Sequence, residues 1–385
     1  VRNILEGILS QPRNPLREKE RDNIIDELVD EFAGLGPIEK LMMDPDVTEV
    51  MINGTHNVYV EKFGKKHLTG IKFDSDQQLM YVIQKILSPT RRRVDESVPY
   101  TDICLPDGSR VNIIIPPLAL DGPTITIRKF LKKIISAEDL INLGTLDKRM
   151  ADFLIACIKG KVNIIFAGAT GSGKTTTVGV LSSYIGNDER TITIEDTAEL
   201  HLAQDHVVRL ETKPANIEGK GEITIRDLFR NTLRMRPQRI ILGEIRGAEA
   251  LDMLQAMCSG HSGALSVIHA DTPQDVMYRL ETMILMSGVP ITLEAIHRQI
   301  VSSLHLVIQQ DQLADGVRKI TRITQINGLK NGWANLEDIF YYDIEHVDES
   351  GKVQGRFKAT GVMPVFYQIF GKRGVVLSKE IFNKD

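Results

Sequence analysis

Cysteine is scarce in this 385-residue sequence: Cys104, Cys157 and Cys258 lie far apart, in apolar or helix-like contexts. Disulfide scaffolds and zinc sites need closely spaced cysteines, so neither is expected, and a reducing cytoplasm fits the chain. Tryptophan occurs once, at Trp333, and aromatics make up 5% of residues without interleaving with basic ones. That is a poor basis for stacking single-stranded nucleic acid. Positive charge is not in excess either. Lys plus Arg number 47 against 51 Asp plus Glu, a net charge of -4, whereas a surface built to neutralise a phosphate backbone is basic. Direct nucleic-acid binding is therefore not expected, although a local basic patch stays open. No apolar run approaches the roughly 20 residues that span a bilayer, and the N-terminus is polar rather than signal-like, so the chain is expected to be soluble. Internal repeats and low-complexity tracts are missing. The chain begins at Val1 and not at methionine, which reads as a processed chain or a piece of something longer.

The length itself calls for two domains, since single cores seldom exceed about 250 to 300 residues. Residues 16 to 33 place Ile24, Ile25, Leu28, Val29 and Phe32 on one helical face, closed by Gly34 and Gly36. From Val47 to Phe73 short β-rich runs (VTEVMI, NVYVEK, HLTGIKF) are divided by Asn53-Gly54 and Gly64, and a helix follows over Gln77 to Leu87. A hairpin over Asp107-Gly108, a Pro116-Pro117 break and a strand from Thr124 to Phe130 complete a small α+β domain. The expected division is a helical segment at 1–33, an α+β domain at 34–130, a linker at 131–147 and a larger domain at 148–385. In the larger domain helices and strands alternate as in a doubly wound parallel sheet, before hairpins around Asp315-Gly316 and Ser350-Gly351. The loop Lys213 to Gly221 reads equally as a mobile element or an ordinary surface loop. The methionines Met277, Met283 and Met286 are assigned to core packing.

The strongest chemical signal is the run Gly168-Ala169-Thr170-Gly171-Ser172-Gly173-Lys174-Thr175. It follows the apolar stretch Val162 to Ala167 and opens a helix over Thr175 to Ile185. That is a P-loop in a strand-to-helix setting. Glycines let backbone N–H groups converge on a phosphate, Lys174 reaches the β- and γ-phosphates, Thr175 takes a Mg²⁺ position, and the helix N-terminus faces the anion. Thr176 completes the cradle. A dinucleotide loop is excluded because no third glycine follows at the required place. ATP and Mg²⁺ are the implied ligands.

Ligands of a parallel sheet sit at the carboxyl ends of its strands, so the residues that end apolar runs are weighed next. Glu244, after Arg239 to Leu242, is the expected acid that orients the attacking water and Mg²⁺. The bland alternative has it complement a helix N-terminus. Glu195 and Asp196, with Glu199 nearby, end the run from Thr191 and read evenly as metal handlers or turn caps. His269 ends Ala264 to Ile268, and His261 lies in Gly260-His261-Ser262-Gly263.

These motifs together resemble the secretion and pilus motor ATPases: the P-loop, an acidic box TIEDTAELHL (Thr193 to Leu202), LRMRPQRIILGEIRG (Leu233 to Gly247) and SGHSGALSVIHA (Ser259 to Ala270). Within them the small-domain strings GLGPIEKL (Gly34 to Leu41), RRRVDES (Arg91 to Ser97) and LPDGSRVNIIIPPLALDGPTITIRKF (Leu105 to Phe130) resemble the Tad/CpaF ATPases of tight-adherence (Flp) pili. The four-cysteine zinc insert of type II secretion relatives cannot be built from three scattered cysteines. Departures are Gln238, where an acid is common, and Cys258 and Ser262 in the histidine box.

The resemblance implies an α/β fold, with a RecA-like P-loop NTPase domain hinged to a smaller, PAS-like α+β domain. It makes Glu244 the water-activating glutamate, Glu195 and Asp196 a pair acting on Mg²⁺ and water, and His261 and His269 sensors of the γ-phosphate or couplers to a subunit interface. It casts Arg110 and Arg128, with Arg92 or Arg93 less directly, as cations presented to nucleotide; Arg91 to Arg93 read equally as a solvated charge run. It further implies a cytoplasmic homohexamer, held peripherally at the inner membrane by platform proteins, that hydrolyses ATP to drive pilus assembly. Rival readings are a type IV secretion-like traffic ATPase, a nucleic-acid translocase, and a scaffold that binds ATP without turning it over.

Overall fold

The computed structural model describes residues 18–90, 92–105, 107–129, 136–215 and 219–385. The chain divides into two compact units, Val1–Lys132 and Lys133–Asp385. Arg91, residues 131–135 of the expected linker and residues 216–218 of the loop from Lys213 lie outside the described residues.

In the first unit, helix α1 (Glu18–Ala33) stops at Gly34, whose N–H donates to the carbonyls of Val29 and Asp30. After α2 (Glu39–Met43), strands β1 (Val47–Asn53), β2 (Asn57–Lys62) and β3 (Lys65–Leu68) form a meander. Helix α3 (Asp76–Leu87) follows, capped by the Ser75 hydroxyl, and then β4 (Tyr100–Cys104), β5 (Arg110–Ile114) and β6 (Thr124–Arg128). The sheet order is β3-β2-β1-β6-β5-β4, with every neighbouring pair antiparallel. Alternate residues Val50, Ile52, Val111, Ile113, Ile125 and Ile127 face Leu79, Val82, Ile83 and Ile86 of α3, so a single helix layer covers one face. The strand expected from His67 to Phe73 ends earlier, at Leu68. β3 is an exposed edge rich in lysine, and beyond Gly70 the chain leaves the sheet to bury Phe73.

The second unit begins with α4 (Ala137–Asn142), whose capping box pairs Ser136 with Asp139. Leu140 and Leu146 are buried in this unit's core, so the part of the expected linker from 136 on is packed structure rather than hinge. Helix α5 (Lys148–Lys159) leads into β7 (Ile164–Ala167), α6 (Lys174–Ser182), β8 (Thr191–Glu195) and β9 (Val207–Glu211). Then come α7 (Ile225–Thr232), β10 (Arg239–Leu242), α8 (Glu249–Cys258), β11 (Leu265–Ile268), α9 (Pro273–Leu285) and α10 (Leu293–Ser303). The strands β12 (Leu306–Gln312), β13 (Arg318–Lys330), β14 (Trp333–Val347) and β15 (Val353–Ala359) precede the short α11 (Gln368–Lys372).

The sheet order is β15-β14-β13-β12-β7-β11-β10-β8-β9. From β12 to β9 it is parallel, as the alternation of helices and strands predicts. The C-terminal hairpins expected around Asp315-Gly316 and Ser350-Gly351 extend the same sheet antiparallel through β13, β14 and β15. Within β7, Ile164 and Phe166 join one core with α5 and α6, while Ile165 and Ala167 join the other with α8, α9 and α10. Helices therefore cover both faces, and every β7 side chain is buried. Phe153 of α5 packs against Phe340, Phe366, Phe370 and Phe382, which fastens the C-terminal segment to the first of these cores. Met277 and Met283 are core residues as expected; Met286, just past α9, is 80% exposed and is not.

Candidate functional site

The glycine-rich loop leaves the C-terminal end of β7, and three of its residues adopt positive φ: Gly168 (148°), Gly171 (81°) and Gly173 (94°). A Cβ at Gly168 would stand 2.0 Å from the backbone oxygen of Gln310 on β12, so only glycine fits against that strand. Lys174, the first residue of α6, is 5% exposed and donates to the carbonyls of Gly168 (2.8 Å) and Ala169 (2.7 Å). Ala169, Thr170, Gly171 and Thr176 are exposed, Thr175 is half-buried, and Ser172 is buried with its hydroxyl unpartnered among the described residues. Converging amides, a lysine and a helix N-terminus make a phosphate cradle at this edge.

Glu244 emerges from the carboxyl end of β10, two strands from β7, on the same edge. The turn that carries it is braced: Gly243 N–H donates to Ile194, and Ile245 N–H to Val267. The carboxylate of Glu249 accepts from the N–H groups of Arg246 (2.6 Å) and Gly247 (2.7 Å). Glu244 Oε2 accepts from Arg246 Nη2 at 2.6 Å, its Oε1 lies 3.4 Å from His269 Nε2, and Arg246 Nη1 reaches Asp196 Oδ2 at 3.3 Å. Burial, and then the nearby Lys174 ammonium, hold His269 below the usual histidine range against the opposing pull of Glu244. The ring is thus neutral near pH 7, able to accept or donate one proton. The bond to Glu244, ahead of every other influence, keeps the Arg246 guanidinium firmly charged.

The acidic pair divides. Glu195 is the last residue of β8, on the strand face that also carries Thr191 and Thr193, and it is 3% exposed. Its Oε1 accepts from the N–H groups of Glu199 and Leu200, each at 3.0 Å, while Oε2 is buried without a partner among the described residues. Burial outweighs those bonds and pushes its carboxyl up to about 7. Asp196 faces outward to Arg246. Of the residues expected to handle Mg²⁺ partly through water, Thr175, Glu195, Asp196 and Glu244, the structure joins Asp196 and Glu244 through Arg246 and turns the Glu195 carboxylate onto the backbone of the acidic-box loop. Mg²⁺ keeps several waters and is usually held by one or two carboxylates plus substrate phosphate; the Thr175 hydroxyl in the first turn of α6 and the Glu244 and Asp196 carboxylates after β10 and β8 are oxygen ligands of that kind.

His261, expected either to sense the γ-phosphate or to couple to a subunit interface, stands apart from His269 in this unit. It precedes β11 whereas His269 follows it, and β11 runs parallel to β7 with Leu265 opposite Ile164. His261 therefore lies at the opposite edge from the cradle, its Nδ1 buried and unpartnered among the described residues. Arg110 and Arg128 belong to the first unit, where they are direct cross-strand partners of β5 and β6; Arg128 pairs with Glu49 at 2.7 Å. Arg92 is exposed, and Arg93 pairs with Asp95 at 3.4 Å.

Four residues escaped the sequence reading. Arg246 and Glu249 sit in or beside the quoted GEIRG string, where an arginine and a glutamate flanking a turn are a usable signal. Gln310 and Arg318, from β12 and β13, press on the glycine loop without any local motif.

The family described as "Type II/IV secretion system protein" matches residues 31–342. An uncharacterised protein of Methanocaldococcus jannaschii is 44% identical over 60% of this chain, and the matched part spans 33% of that longer protein. The type IV secretion system protein VirB11 of Bartonella henselae is 29% identical over 75% of this chain and 91% of its own. Among solved structures, the pilus retraction motor PilT with bound ADP covers 75% of this chain and 80% of its own, at 18% identity and a TM-score of 0.52, a likeness of fold.

Proposed function

The chain belongs to the type II/IV secretion system protein family, and on that premise we propose that it is an ATPase motor driving assembly of a Tad/Flp-type pilus. The observation that carries the chemistry is one linked set at the strand ends, neutral His269 against Glu244, Glu244 on Arg246 and Arg246 on Asp196, within electrostatic reach of Lys174 at the cradle. Lys174 exchanges its carbonyl partners for the β- and γ-phosphates. Glu244, held by Arg246, orients the water that attacks the γ-phosphate, and neutral His269 reports the change at that phosphate through the same carboxylate. The Thr175 hydroxyl would hold Mg²⁺ together with the nucleotide, and the cation would supply neutralisation of charge on the phosphates. We assign to Glu195 the support of the acidic-box loop beneath Glu244, and to Arg110 and Arg128 the role of further cations for the phosphate chain, which guanidinium geometry suits. Hexameric rings, Mg²⁺ dependence and docking on inner-membrane platform proteins belong to the same reading, with loss of the γ-phosphate releasing an arginine clamp and so producing motion.

Turnover and binding test it directly. Lys174→Ala is expected to lose nucleotide binding, and Glu244→Gln to bind ATP while barely hydrolysing it; wild-type hydrolysis by Glu244→Gln overturns the assignment. The likeness to VirB11 supports a second reading, a type IV secretion traffic ATPase. Deleting the protein from its host separates the two: loss of surface pili with DNA or protein transfer intact favours the first, and the reverse favours the second.

A further inference from the structure

We propose that Arg318 and Gln310 build the nucleoside end of the nucleotide site, with the Arg318 guanidinium laid against the base and ribose of bound ATP. This rests on residues 168–176 being a phosphate cradle. Chain direction fixes the flank. β12 runs parallel to β7, so its carboxyl end and the turn at 313–317 emerge at the same edge as the glycine loop, and β13 starts there with Arg318. Glu244 and His269 occupy the other flank of β7, beyond β10 and β11. A triphosphate whose γ end meets Glu244 and His269 extends its other end away from them, toward β12 and β13.

The contacts on that flank are specific. Arg318 Nε donates to the carbonyl of Gly171 at 2.8 Å, which fixes the plane of the guanidinium and leaves both Nη groups clear of any ion pair among the described residues. A Cβ at Gly173 would meet Gln310 Nε2 at 3.0 Å and Arg318 Cδ at 3.1 Å, so this glycine makes room for the arginine stem as well as for the turn. Gln310 is 2% exposed, and its Oε1 is buried without a hydrogen-bond partner among the described residues. An unpaired buried acceptor is costly to keep, which marks this wall as one that awaits a donor. The phosphate charges already have Lys174, the loop amides and the α6 N-terminus. What Arg318 adds is a planar cation that stacks on a base and donates to a ribose, on the side where neither lysine nor amide reaches.

The test compares ligands with and without the nucleoside. Isothermal titration of the full chain with ATP, ADP and inorganic tripolyphosphate is run on wild type, Arg318→Ala and Arg318→Lys, each checked for an unchanged melting temperature. Arg318→Ala is expected to weaken ATP and ADP alike by about tenfold, to leave tripolyphosphate within twofold of wild type, and to raise KM with kcat unchanged. Arg318→Lys, which keeps the charge and loses the plane, is expected to recover less than half of that loss. Equal weakening of tripolyphosphate means that Arg318 only braces the loop, and a fall in kcat at constant KM means that it acts on the γ-phosphate; either result overturns the proposal, as does unchanged ATP affinity. Wild-type protein that binds neither ATP nor tripolyphosphate refutes the cradle itself, a distinct failure.

Discussion

Replacing Glu195 by glutamine should make the protein's stability less sensitive to pH, by an amount the structure sets. The Glu195 carboxyl is buried at the end of β8, and burial lifts it to about 7 from the ordinary glutamate value of 4.5. Between those values the folded chain holds a proton that the unfolded chain has released. Proton uptake is then greater in the folded state, so stability falls as pH rises from about 4.5 to about 7 and is level above that. A shift of about 2.5 units corresponds to roughly 3 kcal/mol, and roughly 2 to 3 kcal/mol of it falls between pH 5 and pH 8. The amide introduced by Glu195→Gln keeps an oxygen for the Glu199 and Leu200 N–H groups and has nothing to titrate. Urea unfolding of both proteins at half-unit steps from pH 5 to 8, without nucleotide or Mg²⁺, yields the difference in stability and cancels every other titrating group. The variant should gain on wild type steadily up to about pH 7. A difference that stays flat across the range refutes the reasoning, because it would mean Glu195 is ionised throughout.

Arg246→Ala should free Glu244 and Asp196 together; losing a charge-assisted bond of about 2 kcal/mol lowers hydrolysis roughly thirtyfold, and ATP affinity measured by titration should hold within a few-fold. Phe153→Ala removes the ring at the centre of the aromatic cluster and should cost about 3 to 5 kcal/mol in chemical unfolding, with early proteolysis of the segment after β15.

The strand, glycine loop and helix around Lys174 were legible because all their signals are local: an apolar run, three glycines, a lysine and a helix start. Hairpins at Asp107-Gly108, Asp315-Gly316 and Ser350-Gly351 were legible for the same reason. Asn331-Gly332 carries the same mark, and its two positive φ values turn β13 into β14. Glu195 shows what a closer reading of period two yields, since it continues the Thr191-Thr193 face into the core while Asp196 turns out. His261 and His269 looked alike in sequence, yet the four residues of β11 set them at opposite edges of the sheet. Sheet order, and with it the approach of Gln310 and Arg318 to the glycine loop, depends on pairings between distant segments that no window of sequence contains.

Those distant pairings bear on how the protein is made. β7 is held between β11 and β12, with Ile164 opposite both Leu265 and Leu306. During synthesis the glycine loop therefore leaves the ribosome long before the strands that wall it in, and Gln310 cannot press on Gly168 until β12 has been translated and inserted. Nucleotide capture becomes a late event in the life of each new chain, and a polypeptide interrupted before residue 306 carries the whole motif without the pocket.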